Sequence, residues 1–230
     1  VAGVVGSKKF AFDIWGDELA YGALAMPSDE ARIAATLELV ADDVPLVFAF
    51  GRLVSKKGFE YLVDAAASIR ASWPGLSVVI AGSGDLEAPL RARAAASGSG
   101  DVVRFIGDVP QHEIPALLAA ADVAVAPSVR DDAGNVDGLP NTVLEIMASA
   151  TPLVATPAGG IGAVAEDGVT ARIVPERDDV ALAEVVLVHL LREEWRERRE
   201  QLRHRHQAFV QRRVRRRLVR VRLRLPEPPP

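Results

Sequence analysis

The sequence predicts an α/β domain built on a doubly wound parallel sheet. Three observations predict it. Six short apolar runs, most of them rich in Val and Ile, recur between residues 46 and 174. A turn marked by glycine or proline and an amphipathic stretch of helical length separate most of them. The runs are nearly continuous in apolar character rather than alternating, which suits strands buried on both faces. Regular alternation of strand and helix then gives parallel crossovers with helices covering the sheet.

Taken in order, the expected strands are residues 46–50, 76–81, 102–106, 123–126, 153–155 and 171–174. The helices expected between them are 59–71, 86–97, 113–120, 142–150 and 162–166, with a last one from near 178 past 191. This core, 46–191, reads as one Rossmann-like domain. Residues 1–45 do not continue the pattern. Residues 10–15 fit a short strand or loop, and 29–40 fit a helix capped by Ser28. They read as a lead-in, the remnant of a preceding domain. The chain starts at Val1 rather than Met, so an N-terminal portion is expected to be missing. Residues 192–230 read as a helical extension dissolving into low-complexity arginine, where Val or Leu alternates with Arg before a proline-rich end.

Composition narrows the chemistry. About half of the 230 residues are apolar, enough for a sizeable core. There is no cysteine, which excludes disulfides and thiolate catalysis and fits a reducing, cytoplasmic setting. No run approaches the ~20 apolar residues of a membrane span, and no signal peptide is visible. The net charge of -4 conceals an asymmetry: the tail from Arg192 carries +9 and the remainder -13. Such a tail is usually solvated, and its charge also suits a peripheral contact with an anionic membrane, at the inner surface; nothing marks a specific nucleic-acid site.

Two motifs carry the functional expectation. Gly51-Arg-Leu-Val-Ser-Lys-Lys-Gly58 closes the first strand. Gly51 lets backbone approach a ligand, Arg52 can fork onto phosphate oxygens, and Lys57 adds a mobile charge. Lys57 is preferred to its neighbour Lys56. Far downstream stands Asp137-Gly-Leu-Pro-Asn-Thr-Val-Leu-Glu145. Gly138 and Pro140 mark a tight loop, Asn141 reads as a helix cap, and Glu145 is placed in the first helical turn. A carboxylate there suits a ribose diol, while Asp137 suits hexose hydroxyls. Backbone amides between Leu139 and Val143 are placed to meet phosphate or sugar oxygens. Cations for a diphosphate and carboxylates for hydroxyls together suggest a nucleotide-activated sugar, bound outside the carboxyl ends of the strands.

Weaker signals accompany these. Gly82-Ser-Gly84 follows the second strand, where a tight turn and a ligand contact are both open. Its spacing does not complete a dinucleotide fingerprint. Val109, after the third strand, can flank a planar base. Gly159-Gly160 allows a close approach by a ligand or simply forms a loop. His112 reads as a cap or a solvated side chain. Asp131-Asp132 can hold a cation but reads as solvated, and no residues show metal-ligand spacing.

Together these residues resemble the nucleotide-sugar-binding half of retaining glycosyltransferases with the GT-B fold, glycosyltransferase family 4. The family's G-R-L-x-x-x-K-G, A-G-x-G, A-D-V-x-x-x-P-S and E-x7-E are met at 51–58, 81–84, 121–128 and 137–145, with Asp137 in place of the first glutamate. The resemblance implies that Arg52 and Lys57 hold the donor diphosphate. Gly51, Gly82, Gly138, Leu139, Pro140 and Asn141 line the donor site. Glu145 would bind ribose, Asp137 the transferred sugar, and Val109 would flank the base. It implies retaining transfer through an oxocarbenium-like species, no metal and no cofactor beyond the sugar donor, and a glycan, lipid or small-molecule acceptor. There are departures: Gly162-Ala163 where the family has Pro-Glu, and Ala150 and Ala171 where it has glycine. The family also needs a second Rossmann-like domain for the acceptor, which 45 leading residues cannot supply. A non-catalytic nucleotide-sugar-binding module, or a nucleotide-dependent oxidoreductase or epimerase, stay as alternatives.

Overall fold

The computed structural model describes residues 44–191, and the lead-in and arginine-rich tail lie outside them. The described residues form strands β1 (Leu46–Phe50), β2 (Ser77–Ala81), β3 (Val103–Gly107), β4 (Val123–Ala126), β5 (Leu153–Ala155) and β6 (Arg172–Ile173). Five α-helices join them: α1 (Phe59–Ser72), α2 (Glu87–Ser97), α3 (Ile114–Ala120), α4 (Asn141–Ala148) and α5 (Asp179–Leu190). The sheet order is β3-β2-β1-β4-β5-β6 and every pair is parallel. The doubly wound prediction holds.

The central strands are buried on both faces, as their unbroken apolar runs require. Val47, Phe48, Val78, Ile80, Val123 and Ala124 are all fully buried. The edge strands β3 and β6 are partly exposed, and β6 keeps only two of the four residues expected of it. On one face α1 packs beside α2 and α5, burying Leu62, Val63, Ala66 and Ile69 along its inner stripe. From β1 the chain winds outward to β3, then returns to the other side of β1 at β4. The crevice between β1 and β4 is therefore the switch point at which such sheets bind ligands. Asp122 fixes this junction: its buried carboxylate accepts the Leu46 amide at 2.7 Å, and the Asp122 amide donates to the Leu46 carbonyl.

Two helix predictions need correction. Residues 162–166 form no α-helix, only a single 3-10 turn over Ile161–Ala163. Helix α4 stops at Ala148, and Ala150 turns left-handed, with φ +52°. Glycine is the residue suited to that place after a helix, because a Cβ there costs about 1–2 kcal/mol. Ala150→Gly is therefore expected to stabilise the domain by about 1 kcal/mol, read as a higher urea midpoint at unchanged slope. Ala171, the other alanine at a glycine position, has no positive φ.

Candidate active site

The site begins where β1 ends. Gly51, at φ +142°, donates its amide to the Ala81 carbonyl. The chain then makes a 3-10 turn over Ser55–Lys57, closed by Gly58 in the left-handed region at φ +64°. A side chain on Gly58 would overlap the Pro127 carbonyl that follows β4. The Val129 amide donates to the Lys56 carbonyl at 3.0 Å. The lysine turn is thus clamped to the loop after β4, across the switch point.

Gly82 is required first by backbone packing, as the tight-turn reading has it. A Cβ there would overlap the Gly51 carbonyl. The loops after β1 and β2 are zipped together, with Leu53 donating to the Ser83 carbonyl and Leu86 to the Leu53 carbonyl. Its glycine is explained by this backbone contact. Val109 is half-buried and packs on the core below the end of β3.

The acidic motif comes from the other half of the sheet and meets the lysines directly. Lys56 Nζ lies 2.8 Å from Asp137 Oδ1, and Lys57 Nζ lies 2.7 Å from Asp137 Oδ2. Burial alone would push this carboxyl up, but hydrogen bonds from the two ammonium groups outweigh it and hold Asp137 below the usual carboxylate range. A depressed folded-state value means that the stabilisation is complete above the unfolded value of about 4 and is lost as pH falls through the folded one. Asp137→Asn is accordingly expected to be less stable than the parent at pH 7, with the gap closing on acidification below pH ~4. Urea melts at several pH values measure this.

Asp137 is carried by a loop after β4 that bonds to itself. Asp131 accepts the amides of Ala133 and Asn135 at 3.0 and 2.7 Å, and Asp132 receives Arg177 at 2.8 Å. Asp131 is therefore engaged in loop structure, while Asp132 stays solvated, as expected, and meets Arg177 at the surface. Behind Asp137 stands Gly159, at φ +60°, where a Cβ would overlap the Asp137 carbonyl. The Gly160 amide donates to the Gly138 carbonyl. The double glycine after β5 lets one backbone approach another, and so seats Asp137 and Gly138.

Helix α4 follows. Pro140 occupies the cap position with no side-chain cap, so Asn141 is the first helical residue and not the cap expected of it. Asn141, Gly138 and Leu139 are exposed, while Pro140 is buried. The Val143 amide bonds the Pro140 carbonyl and proline has no amide. That leaves at most Leu139, Asn141 and Thr142 to offer amides to a ligand. Glu145 opens the second turn rather than sitting in the first. It is half-buried, and its carboxylate makes no ion pair or hydrogen bond among the described residues. Arg52 is exposed and equally unpaired among them.

The two motifs share one wall. The point where Gly51 would carry a Cβ is 3.7 Å from Lys57 Cε and 3.8 Å from Thr142 Cγ2. Glu145 is three residues beyond Thr142, on the same helical face. Sequence reasoning passed over Thr142, Lys56 and the seating role of Gly159. No local pattern points to Thr142, and a neighbouring lysine gave Lys56 no distinction. His112 is exposed on a 3-10 turn, 3.8 Å from Glu113. Among the described residues no cluster of His, Asp or Glu is suited to a metal, and no helix is long and apolar enough to cross a membrane.

With this arrangement in view, the family model for "Glycosyl transferases group 1" matches residues 36–208. The chain belongs to that family. Among curated glycosyltransferases it is 33% identical over 141 residues to the amylovoran biosynthesis glycosyltransferase AmsK of Erwinia amylovora. That alignment takes in 61% of the chain and 35% of AmsK, so the chain spans about a third of that glycosyltransferase's length. Two solved structures share the fold. Anabaena Alr3699/HepE, in complex with UDP and glucose, superposes with a TM-score of 0.62 at 22% identity, over 73% of this chain and 45% of that one. The C-terminal domain of the glycosyl transferase group 1 family protein LpcC from Francisella tularensis gives 0.58 at 22%, over 74% of this chain and 86% of that domain. The doubly wound sheet is thus the Rossmann-like sheet of GT-B glycosyltransferases, as the motifs led one to expect.

Proposed function

We propose that the chain supplies the donor half of a retaining hexosyltransferase that uses a nucleoside-diphosphate sugar. The observation that carries this is the meeting of Lys57 with Asp137 at the switch point, beside Gly51 and the start of α4. Family membership supports the reaction class, and the HepE crystals with UDP-glucose support the donor class. Arg52 and Lys57 would take the diphosphate, Glu145 the ribose, and Asp137 the sugar. The base would lie by Val109, over backbone at Gly51 and Gly82.

Transfer would then proceed on one face. The diphosphate leaves from the side on which the acceptor hydroxyl enters, the sugar passes through an oxocarbenium-like state, and the anomeric configuration is kept. Arg52 and Lys57 stabilise the charge growing on the leaving oxygens, the main contribution of this half. The cations leave no need for a metal. A glycan, lipid or small molecule would be the acceptor, met at the cytoplasmic side and with the arginine-rich tail on an anionic membrane surface. Should no transfer be found with the full-length gene product despite donor binding, the same pocket is a binding module.

Donor binding is the test. A matched UDP-, GDP- or ADP-sugar at a hundred times its dissociation constant stabilises by about 2.7 kcal/mol. For a domain of this size that raises the melting temperature by roughly 5–10 °C. No shift with any of them overturns the proposal.

A further inference from the structure

Lys56 and Lys57 are neighbours on one turn, yet they do not compete for the same atom. Each ammonium takes its own oxygen of Asp137, at 2.8 and 2.7 Å. A diphosphate that recruits Lys57 competes with Oδ2 for its ammonium and weakens that pair. Asp137 is only 16% exposed at its side chain, so it would then be a largely buried carboxylate with a weakened hold on one cation. Left with none, it would take up a proton or turn away; left with one, it stays charged and in place. Lys56 is suited to remain. Its carbonyl is tied to the Val129 amide, and Gly58 packs the turn on Pro127. The nearby Asp131 also feels its charge.

We infer that Lys56 is a positioning residue: it holds Asp137 by Oδ1 while Lys57 passes to the donor diphosphate, freeing Oδ2 to accept a hydroxyl of the transferred sugar. The inference deepens the donor reading above and rests on it for the sugar contact. Its consequence is selectivity within one ligand. Lys56 should matter for the sugar and hardly at all for the nucleoside diphosphate.

Two measurements on the 230-residue chain test it. In the first, without ligand, the Asp137 carboxyl is titrated by carbon-detected NMR. Lys57→Gln should leave Asp137 below the ordinary carboxylate range, and Lys56→Gln/Lys57→Gln should bring it up. Equal titration in the single and double variants overturns the inference. In the second, calorimetry compares UDP with UDP-glucose, GDP with GDP-mannose, and ADP with ADP-glucose. Lys56→Gln should weaken the sugar nucleotide roughly tenfold and the free diphosphate less than twofold, with Lys56→Arg restoring most of the loss. Equal weakening of both makes Lys56 one more phosphate cation and overturns it. If the parent binds none of the six, the donor reading falls together with the sugar contact, while the ligand-free titration still decides whether Lys56 holds Asp137.

Discussion

Replacing Gly159 by alanine is expected to lower the stability of the domain by about 3 kcal/mol and to unseat Asp137. Two costs combine. A non-glycine residue at φ +60° is strained by about 1–2 kcal/mol. The added Cβ would also overlap the Asp137 carbonyl, and such overpacking costs typically 1–3 kcal/mol. Relief requires the acidic loop to move, which carries the carboxylate off both lysines. Gly168→Ala is the control. Its φ is +74°, but a Cβ there meets nothing within 4 Å, so only the backbone strain remains. Urea denaturation should therefore separate the two variants by about 1–3 kcal/mol, with Gly159→Ala the weaker. Equal losses would mean that the loop yields freely and that the double glycine does not seat it.

The second large effect is on binding. Lys57→Ala is expected to weaken a nucleoside-diphosphate sugar by roughly 100-fold, since a charge-assisted contact to phosphate in a half-buried site is worth about 2–3 kcal/mol. Glu145→Ala removes two acceptors from a ribose diol and is expected to weaken it by roughly 30-fold. The two differ in what they do to the free protein. Lys57 is bonded to Asp137, so its loss also costs some stability; the Glu145 carboxylate has no partner among the described residues, so its loss should leave the melting temperature of the free protein nearly unchanged. Calorimetric titration beside thermal melts reads both. Full affinity in either variant would remove that residue from the donor site.

Most of the sheet was legible because its physics is local. Val47 to Phe50, Val78 to Ala81 and Val123 to Ala126 are unbroken apolar runs, and a strand buried on both faces needs nothing more to be recognised. Turns marked by Gly51, Gly82 and Gly107 set their ends within a residue or so. What stayed hidden depends on chain segments far apart in sequence. Gly159 reads as a loop glycine until the Asp137 carbonyl is placed against it. Gly82 reads equally as a tight turn or a ligand contact until Gly51 is found against it. Lys56 is indistinguishable from a solvated lysine before its carboxylate partner arrives. Asn141 looked like a cap by type, but Pro140 takes that place by position. The expected helix at 162–166 failed for a plainer reason: with glycine at 162 and few turns to propagate, only one 3-10 turn forms.

The hydrogen bond between Asp122 and Leu46 spans 76 residues of chain. It joins the first strand to the strand that begins the second half of the sheet. While the chain is being made, β1 to β3 can pair as they emerge, with the lysine turn still lacking its clamp from the loop after β4. Its acidic counterpart is still to be synthesised. Docking of β4 and creation of the charged cleft are therefore linked late events, and a nucleotide captured by a nascent chain would mark the moment at which the second half has docked.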